Sequence, residues 1–225
     1  MREQKKEDRG NLTSFLKLAP EGYPFILFFA ALTILILFIT GNLGIAFLPF
    51  IITLFMLYFF RDPERFPPEG ENIFVSPADG KVIVIKDVFE SQYLKSDSIM
   101  ISIFMSPLDV HVNRSPCDGI VESVVHTKGK FLSAFKHEAS IENENIVMIL
   151  NTKYGKILVR QVAGFIARRA VCRVKPGDSL KKGERYGIIK FSSRLDVYLP
   201  KDTTITVELN DRVKAGETPL GYLQR

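Results

Sequence analysis

Three side chains in this sequence have the types needed to activate one another: the Ser193 hydroxyl, the His111 imidazole and the Asp79 carboxylate. Ser193 follows Ser192 in the stretch Phe191-Ser-Ser-Arg-Leu-Asp-Val-Tyr-Leu-Pro200. A serine hydroxyl that attacks the carbonyl just before it turns that amide into an ester. β-Elimination then breaks the chain and leaves dehydroalanine, which hydrolyses to a pyruvoyl group and ammonia. The result is an electrophilic carbonyl made from the protein's own backbone. A serine pair alone says little, because most such pairs are loop residues. His111, in Phe104-Met-Ser-Pro-Leu-Asp-Val-His-Val-Asn-Arg-Ser-Pro116, supplies a base, and Asp79, in Ser76-Pro-Ala-Asp-Gly80, supplies an acid. Together they are the parts of a base-activated nucleophile. Each also has a plain structural alternative, since a histidine after a strand can simply pack and an aspartate before glycine makes a turn.

Composition narrows the setting for this chemistry. The chain has 225 residues, enough for one ordinary domain and an appendage, and a formal net charge of +5. Its two cysteines, Cys117 and Cys172, are far apart and lack a Cys or His neighbour at ligand spacing. That argues against a disulfide scaffold or a metal site and for a reducing compartment. The basic residues are scattered and form no nucleic-acid motif. An anionic membrane surface is the better partner for the charge.

The elements around these residues begin with a membrane anchor. Pro24–Thr40 and Leu43–Phe60 contain no charged residue, and only Gly41-Asn42 separates them. Each run is near the lower limit for a helix that crosses a hydrocarbon core of about 30 Å. Arg2, Lys5, Lys6, Arg9 and Lys17 precede the pair, Arg61 and Arg65 follow it, and the central turn has no basic residue. The positive-inside rule therefore predicts a hairpin with both ends cytoplasmic, in the cell membrane. The expected organisation is a cytoplasmic segment 1–23, a two-helix membrane hairpin 24–60, a linker 61–72 rich in proline and charge, and a catalytic domain 73–225.

That domain reads as mainly β. Short β-branched runs bounded by turn residues cover 81–85, 99–104, 119–125, 145–150, 156–160, 187–191, 195–199 and 203–208. The only predicted helix is short, through Phe165–Ala170. Two internal echoes stand out: Ser76-Pro-Ala-Asp-Gly-Lys-Val82 with Ser115-Pro-Cys-Asp-Gly-Ile-Val121, and Val174-Lys-Pro-Gly-Asp-Ser-Leu-Lys-Lys-Gly-Glu-Arg-Tyr-Gly187 with Val213-Lys-Ala-Gly-Glu-Thr-Pro-Leu-Gly221. Such turns recur in barrel-sandwich folds of the lipoyl and biotinyl-carrier kind, so a barrel-sandwich-like domain is expected.

Taken in order, Ser-Pro-Ala-Asp-Gly-Lys-Val, Met-Ser-Pro-Leu-Asp-Val-His-Val-Asn-Arg, Gln161-Val-Ala-Gly-Phe-Ile-Ala-Arg-Arg169 and Phe-Ser-Ser-Arg-Leu-Asp-Val-Tyr-Leu-Pro resemble the short, membrane-anchored type of phosphatidylserine decarboxylase proenzyme. The resemblance covers essentially the whole chain. It implies self-cleavage before Ser193 into a large chain, 1–192, and a small chain, 193–225, that begins with a covalent pyruvoyl cofactor. It further implies a Schiff base between that carbonyl and the serine amine of the phospholipid, loss of carbon dioxide, and release of phosphatidylethanolamine. By the same resemblance His111 donates or positions a proton, Asp79 orients the base or polarises Ser193, and Arg114, Arg168 and Arg169 hold phosphate or carboxylate. The two chains of one proenzyme are partners in this scheme, and it leaves room for a homodimer.

The sequence departs from the family at two positions. Ser192 stands where glycine usually precedes the cleaved bond, although other pyruvoyl-dependent decarboxylases resemble this chain in cutting between two serines. A cut at Phe191-Ser192 would shift the register by one residue. Long-type members carry a second histidine where this chain has Arg114, while His126 and His137 read as surface residues. Two other readings are a cleavage-deficient, membrane-anchored lipid-binding relative and a lipoyl-like carrier. The carrier would need a modified lysine at a hairpin tip, and the flanks of Lys181-Lys182 do not match that pattern.

Overall fold

The computed structural model describes residues 17–129, 143–164, 169–190 and 193–224. Its contacts divide the chain into two compact units, Met1–Glu64 and Arg65–Arg225.

Among its described residues the first unit is built on two α-helices, α1 (Tyr23–Thr40) and α2 (Leu43–Phe59), packed against each other. Pro24 sits in the first turn of α1, where its missing N–H costs nothing. Gly41, at φ +61°, ends that helix in the left-handed conformation and donates its N–H to Leu37 O. Asn42 then caps α2, its side chain accepting from the N–H groups of Gly44 and Ile45. A two-residue link can therefore both stop one helix and start the next. The other ends are tied too: Ala19 N donates to Phe60 O and Asp62 N to Lys17 O, so the chain enters and leaves side by side. The span Pro20–Thr40 is long and apolar enough to cross a membrane, and α2 is a shorter apolar helix. Phe38, Ile39 and Leu43 are among the large apolar side chains exposed on this pair.

The second unit is mainly β, as the sequence predicts, with fourteen strands among the described residues: β1 (Ile73–Val75), β2 (Gly80–Glu90), β3 (Ser96–Met105), β4 (Val112–Arg114), β5 (Gly119–Thr127), β6 (Asn145–Thr152), β7 (Gly155–Ala163), β8 (Arg169–Cys172), β9 (Ser179–Leu180), β10 (Arg185–Lys190), β11 (Ser193–Pro200), β12 (Thr203–Ile205), β13 (Arg212–Val213) and β14 (Pro219–Leu223). The main sheet has the order β13-β2-β3-β11-β7-β6-β5-β9, and two three-stranded sheets, β1-β14-β12 and β4-β10-β8, accompany it. Alternate residues of the central strands, such as Ile101, Ile103, Leu195, Val197 and Val159, face one core.

The order of the main sheet reads as two similar halves, and the first sequence echo marks them. Ser76 Oγ donates to Ala78 O at 2.7 Å, and Ser115 Oγ donates to Cys117 O at 2.7 Å. One turn launches β2 and the other β5. Their aspartates match as well: Asp79 Oδ1 accepts from Ala215 N at 2.7 Å and Asp118 Oδ1 accepts from Lys182 N at 2.7 Å. Gly216 N donates to Ser76 O and Gly183 N to Ser115 O. The second echo therefore holds through the later part of its stretch. Leu180-Lys-Lys-Gly-Glu184 is the counterpart of Val213-Lys-Ala-Gly-Glu217, because β9 meets β5 at Gly119 as β13 meets β2 at Gly80.

Two other expectations are corrected. Arg169 and Ala170 belong to strand β8, not a helix, because β8 is captured by the ladder of β10 from Gly187 to Lys190; residues 165–168 lie outside the described residues. The run 203–208 forms a strand only over Thr203–Ile205, since Asp211 folds back to accept from Glu208 N and starts a turn.

Candidate active site

Ser193 heads β11, a central strand of the main sheet, and faces Met105 of β3 on one side and Ala163 of β7 on the other. The strand alternates Leu195, Val197 and Leu199 toward the core with Arg194, Asp196 and Tyr198 toward the opposite face, so parity puts Ser193 on the core side. The residue is fully buried, and its Oγ has no hydrogen-bond partner among the described residues. A buried hydroxyl without a partner is costly and calls for a reason. Ser192 lies outside the described residues. The chain leaves β10 at Lys190 in one sheet and enters β11 at Ser193 in another.

His111 is also fully buried. Its backbone carbonyl accepts from Ile189 N at 3.3 Å, so it sits against the strand that leads into Ser193. The loop before it is folded by Asp109, whose Oδ2 accepts from Ser106 N and Oγ and whose Oδ1 accepts from Arg212. Asp109 O lies 3.0 Å from His111 Nδ1. A carbonyl can only accept, so Nδ1 carries the proton and Nε2 is the basic nitrogen of the neutral ring.

Asp79 is clamped from two sides. Besides Ala215 N, its carboxylate takes Arg65 Nη2 at 2.8 Å, while Arg65 Nη1 reaches Glu217 at 2.8 Å. The bond to Ala215 has its twin at Asp118 and is part of the repeated turn. The Arg65 clamp is what the Asp79 half adds. Gly80 next to it, at φ +153°, leaves no room for a side chain, because a Cβ would stand 2.2 Å from Phe104 O. Strand spacing puts this turn and Ser193 about 10 Å apart, two strands across the sheet.

The arginines separate. Arg114 is buried, with Nη1 donating to Gly183 O at 2.9 Å. Arg169 lies opposite Lys190 at the head of β8, and Arg168 lies outside the described residues. Sequence reasoning missed two amides on the core side near Ser193. Gln161 of β7 and Asn113 of β4 are both buried, and Gln161 Nε2 donates to Asn113 Oδ1 at 2.8 Å. Both stand within the motifs quoted above, which was the available signal. A buried Arg194-Asp196 pair on the far face was missed as well.

The sequence model of the phosphatidylserine decarboxylase family matches residues 52–221. Among curated proteins, the phosphatidylserine decarboxylase proenzyme of Syntrophus aciditrophicus is 48% identical over 205 residues, covering 91% of this chain and 96% of the relative. The proenzyme of Desulfotalea psychrophila is 45% identical over 207 residues, and that of Geobacter sulfurreducens 44% over 212, each covering 92% of this chain and 96% of the relative. This chain belongs to the phosphatidylserine decarboxylase family.

Proposed function

We propose that this chain is a self-processing, membrane-anchored decarboxylase that converts phosphatidylserine, or a serine phospholipid with ether-linked tails, to the ethanolamine lipid and carbon dioxide. The observation that carries the proposal is the Ser193 hydroxyl, buried without a described partner at the head of a central strand in a chain whose relatives are named proenzymes. Self-cleavage would divide the chain into 1–192 and 193–225, with Ser193 becoming the pyruvoyl group.

The site suits such a group. Ser193 is paired on both flanks, so the strand that would carry the carbonyl keeps its place after the bond before it is cut. When formed, the group supplies an electrophilic carbonyl and an electron sink. His111 Nε2 would take the proton of the Ser193 hydroxyl during cleavage and hold a proton for the reacting carbon afterwards. Asp79, held by Arg65, would contribute its negative charge to this end of the sheet and keep β2 and β13 in place. Arg114 and Arg169, with Arg168, are the candidates for phosphate or carboxylate of the headgroup.

The two apolar helices and the basic residues flanking them support a hairpin over 24–60 with cytoplasmic ends, joined by a linker over 61–72 to the catalytic domain 73–225. The repeated turns support a barrel-sandwich-like reading of that domain. A substrate whose tails stay in the bilayer gives the anchor its purpose.

The test is the mass of the purified full-length protein together with its turnover of phosphatidylserine in detergent micelles. The expected result is a small fragment beginning at position 193, blocked at its N-terminus, that binds a hydroxylamine-type carbonyl reagent. An intact chain that neither cleaves nor binds the reagent would point to the lipid-binding relative, with Ser192 as the cause. A fragment one residue longer would move the cofactor to position 192.

A further inference from the structure

Gln161 Oε1 is another buried atom on the core side without a hydrogen-bond partner among the described residues. Gln161 is 1% exposed and lies near the end of β7, opposite Leu195 of β11 and Ile146 of β6. Leu195 and Ser193 share a face of β11, so Gln161 and Ser193 are diagonal neighbours on the same side of the sheet, with Cβ atoms roughly 7–8 Å apart. A glutamine side chain spans most of that gap.

The amide is held in a built seat. Its Nε2 donates to Asn113 Oδ1 at 2.8 Å and lies 3.4 Å from Val171 O. Val171 O can only accept, so the nitrogen of the amide must be the atom on that side. Asn113 is oriented in turn, its Nδ2 directed to Met105 Sδ at 3.8 Å. Opposite Asn113 stands Gly187, where a Cβ would come within 3.0 Å of Gln161 Nε2 and 2.3 Å of Val171 O. Strands β4, β8 and β10 therefore all contribute to fixing the nitrogen, which leaves the oxygen as a directed acceptor with nothing to accept among the described residues. Fixing one end of a buried amide while leaving the other unspent is expensive unless a ligand supplies the donor.

We infer that Gln161 is a substrate-binding residue whose Oε1 accepts an N–H from the amino group of the phospholipid's serine headgroup, with Asn113 as its positioning residue. This rests on the function proposed above, because only there does an amine have to approach the residue derived from Ser193. The acceptor also selects for that amine. A headgroup of the same shape without it would leave Oε1 buried and unpaired.

The test compares Gln161→Met and Gln161→Glu in the full-length protein, with pyruvoyl content titrated by a carbonyl reagent and rates expressed per pyruvoyl. Methionine keeps the length and removes the acceptor. Glutamate keeps an acceptor oxygen and gives up the Nε2 donor; Asn113 can turn its amide to meet the second oxygen, while Val171 O loses its contact at 3.4 Å. Both variants are expected to cleave as wild type does. Gln161→Met should lose about 10–100-fold in kcat/KM for phosphatidylserine, chiefly through KM, whereas Gln161→Glu should keep KM within about threefold. Wild-type kcat/KM in Gln161→Met would overturn the inference. Equal losses in both variants would assign the effect to the Nε2 donor, and failure of both to fold or cleave would assign Gln161 to structure; either result overturns it too. A wild-type chain that never cleaves would instead sink the underlying function, a result visible before any variant is made.

Discussion

Arg194 Nη2 donates to Ser102 Oγ at 2.8 Å, joining the residue after Ser193 to the neighbouring strand β3 on the face opposite Ser193. The same guanidinium gives its Nε to Asp196 at 2.6 Å, and both side chains are essentially inaccessible. Arg194 would belong to the small chain and Ser102 to the large one, so this bond and the ladders of β11 on both flanks are expected to keep the chains together after cleavage. Removing Arg194 alone takes from the buried Asp196 carboxylate its bond at 2.6 Å. Arg194→Met should cost about 3–5 kcal/mol, and Arg194→Met with Asp196→Leu should recover most of it. Urea denaturation of the three proteins checks this, and a double variant as unstable as the single one would refute it.

Asp79 and its twin Asp118 allow structural and functional work to be separated. Both accept from a backbone N–H at 2.7 Å, but only Asp79 is buried and clamped by Arg65. Asp118→Asn should therefore change stability by no more than about 0.5 kcal/mol and leave cleavage untouched. Asp79→Asn keeps an oxygen for Ala215 N and loses the charge that faces Arg65. It should cost about 1–3 kcal/mol and slow appearance of the small fragment at least tenfold. Melting curves and a time course of cleavage read the two effects independently. Equal cleavage in the two variants would reduce Asp79 to its turn.

The twin turns also show how far the sequence can be read. The motifs starting at Ser76 and Ser115 look alike because they bond alike, and the alternation in β3, β6, β7 and β11 announces strands buried on a common face. Which segment of the second echo makes the match was not legible. Val174-Lys-Pro-Gly and Leu180-Lys-Lys-Gly are both lysine-glycine turns, and only pairing with β5 distinguishes them. Gln161, Asn113 and Arg194 escaped notice for a related reason. Their roles come from neighbours 10 to 92 residues away, at Val171, Asn113 and Ser102, and polar residues inside strands otherwise read as solvent-facing. The β8 segment misled because alanine and arginine favour helix locally, and the ladder with β10 overrides that preference.

Alkaline pH should weaken this fold. Burial pushes the Cys117 thiol up to about 12, with the adjacent Asp118 adding to the shift. The Tyr186 and Tyr198 hydroxyls are raised by burial as well. A raised pKa means that the folded state keeps its proton where the unfolded state has lost it. The contribution is complete below the unfolded value, near 9 for the thiol, and is lost as pH climbs from there toward 12. Stability should fall by up to about 1.4 kcal/mol per pH unit for each such group. Urea midpoints at pH 8, 9, 10 and 11 measure the slope, which Cys117→Ala should reduce. A flat profile to pH 11 would contradict the burial of these groups.

The proposed membrane hairpin makes a prediction about sidedness. Lys17 and Arg61 flank the ends that are tied together through Leu18 and Arg61, whereas Gly41-Asn42 forms an uncharged tip. Moving a charged flank through hydrocarbon costs more than moving this tip, so both ends should stay on the cytoplasmic face and the tip should emerge outside. Cysteine introduced by Asn42→Cys in a Cys172→Ser background tests this, because the remaining Cys117 is buried and its thiol is held protonated. An impermeant maleimide applied to intact cells should label the tip. The same reagent should reach a Lys17→Cys variant only after the membrane is opened. Labelling of the Lys17 position in intact cells would reverse the orientation, and labelling of neither position until lysis would mean that the helices do not cross.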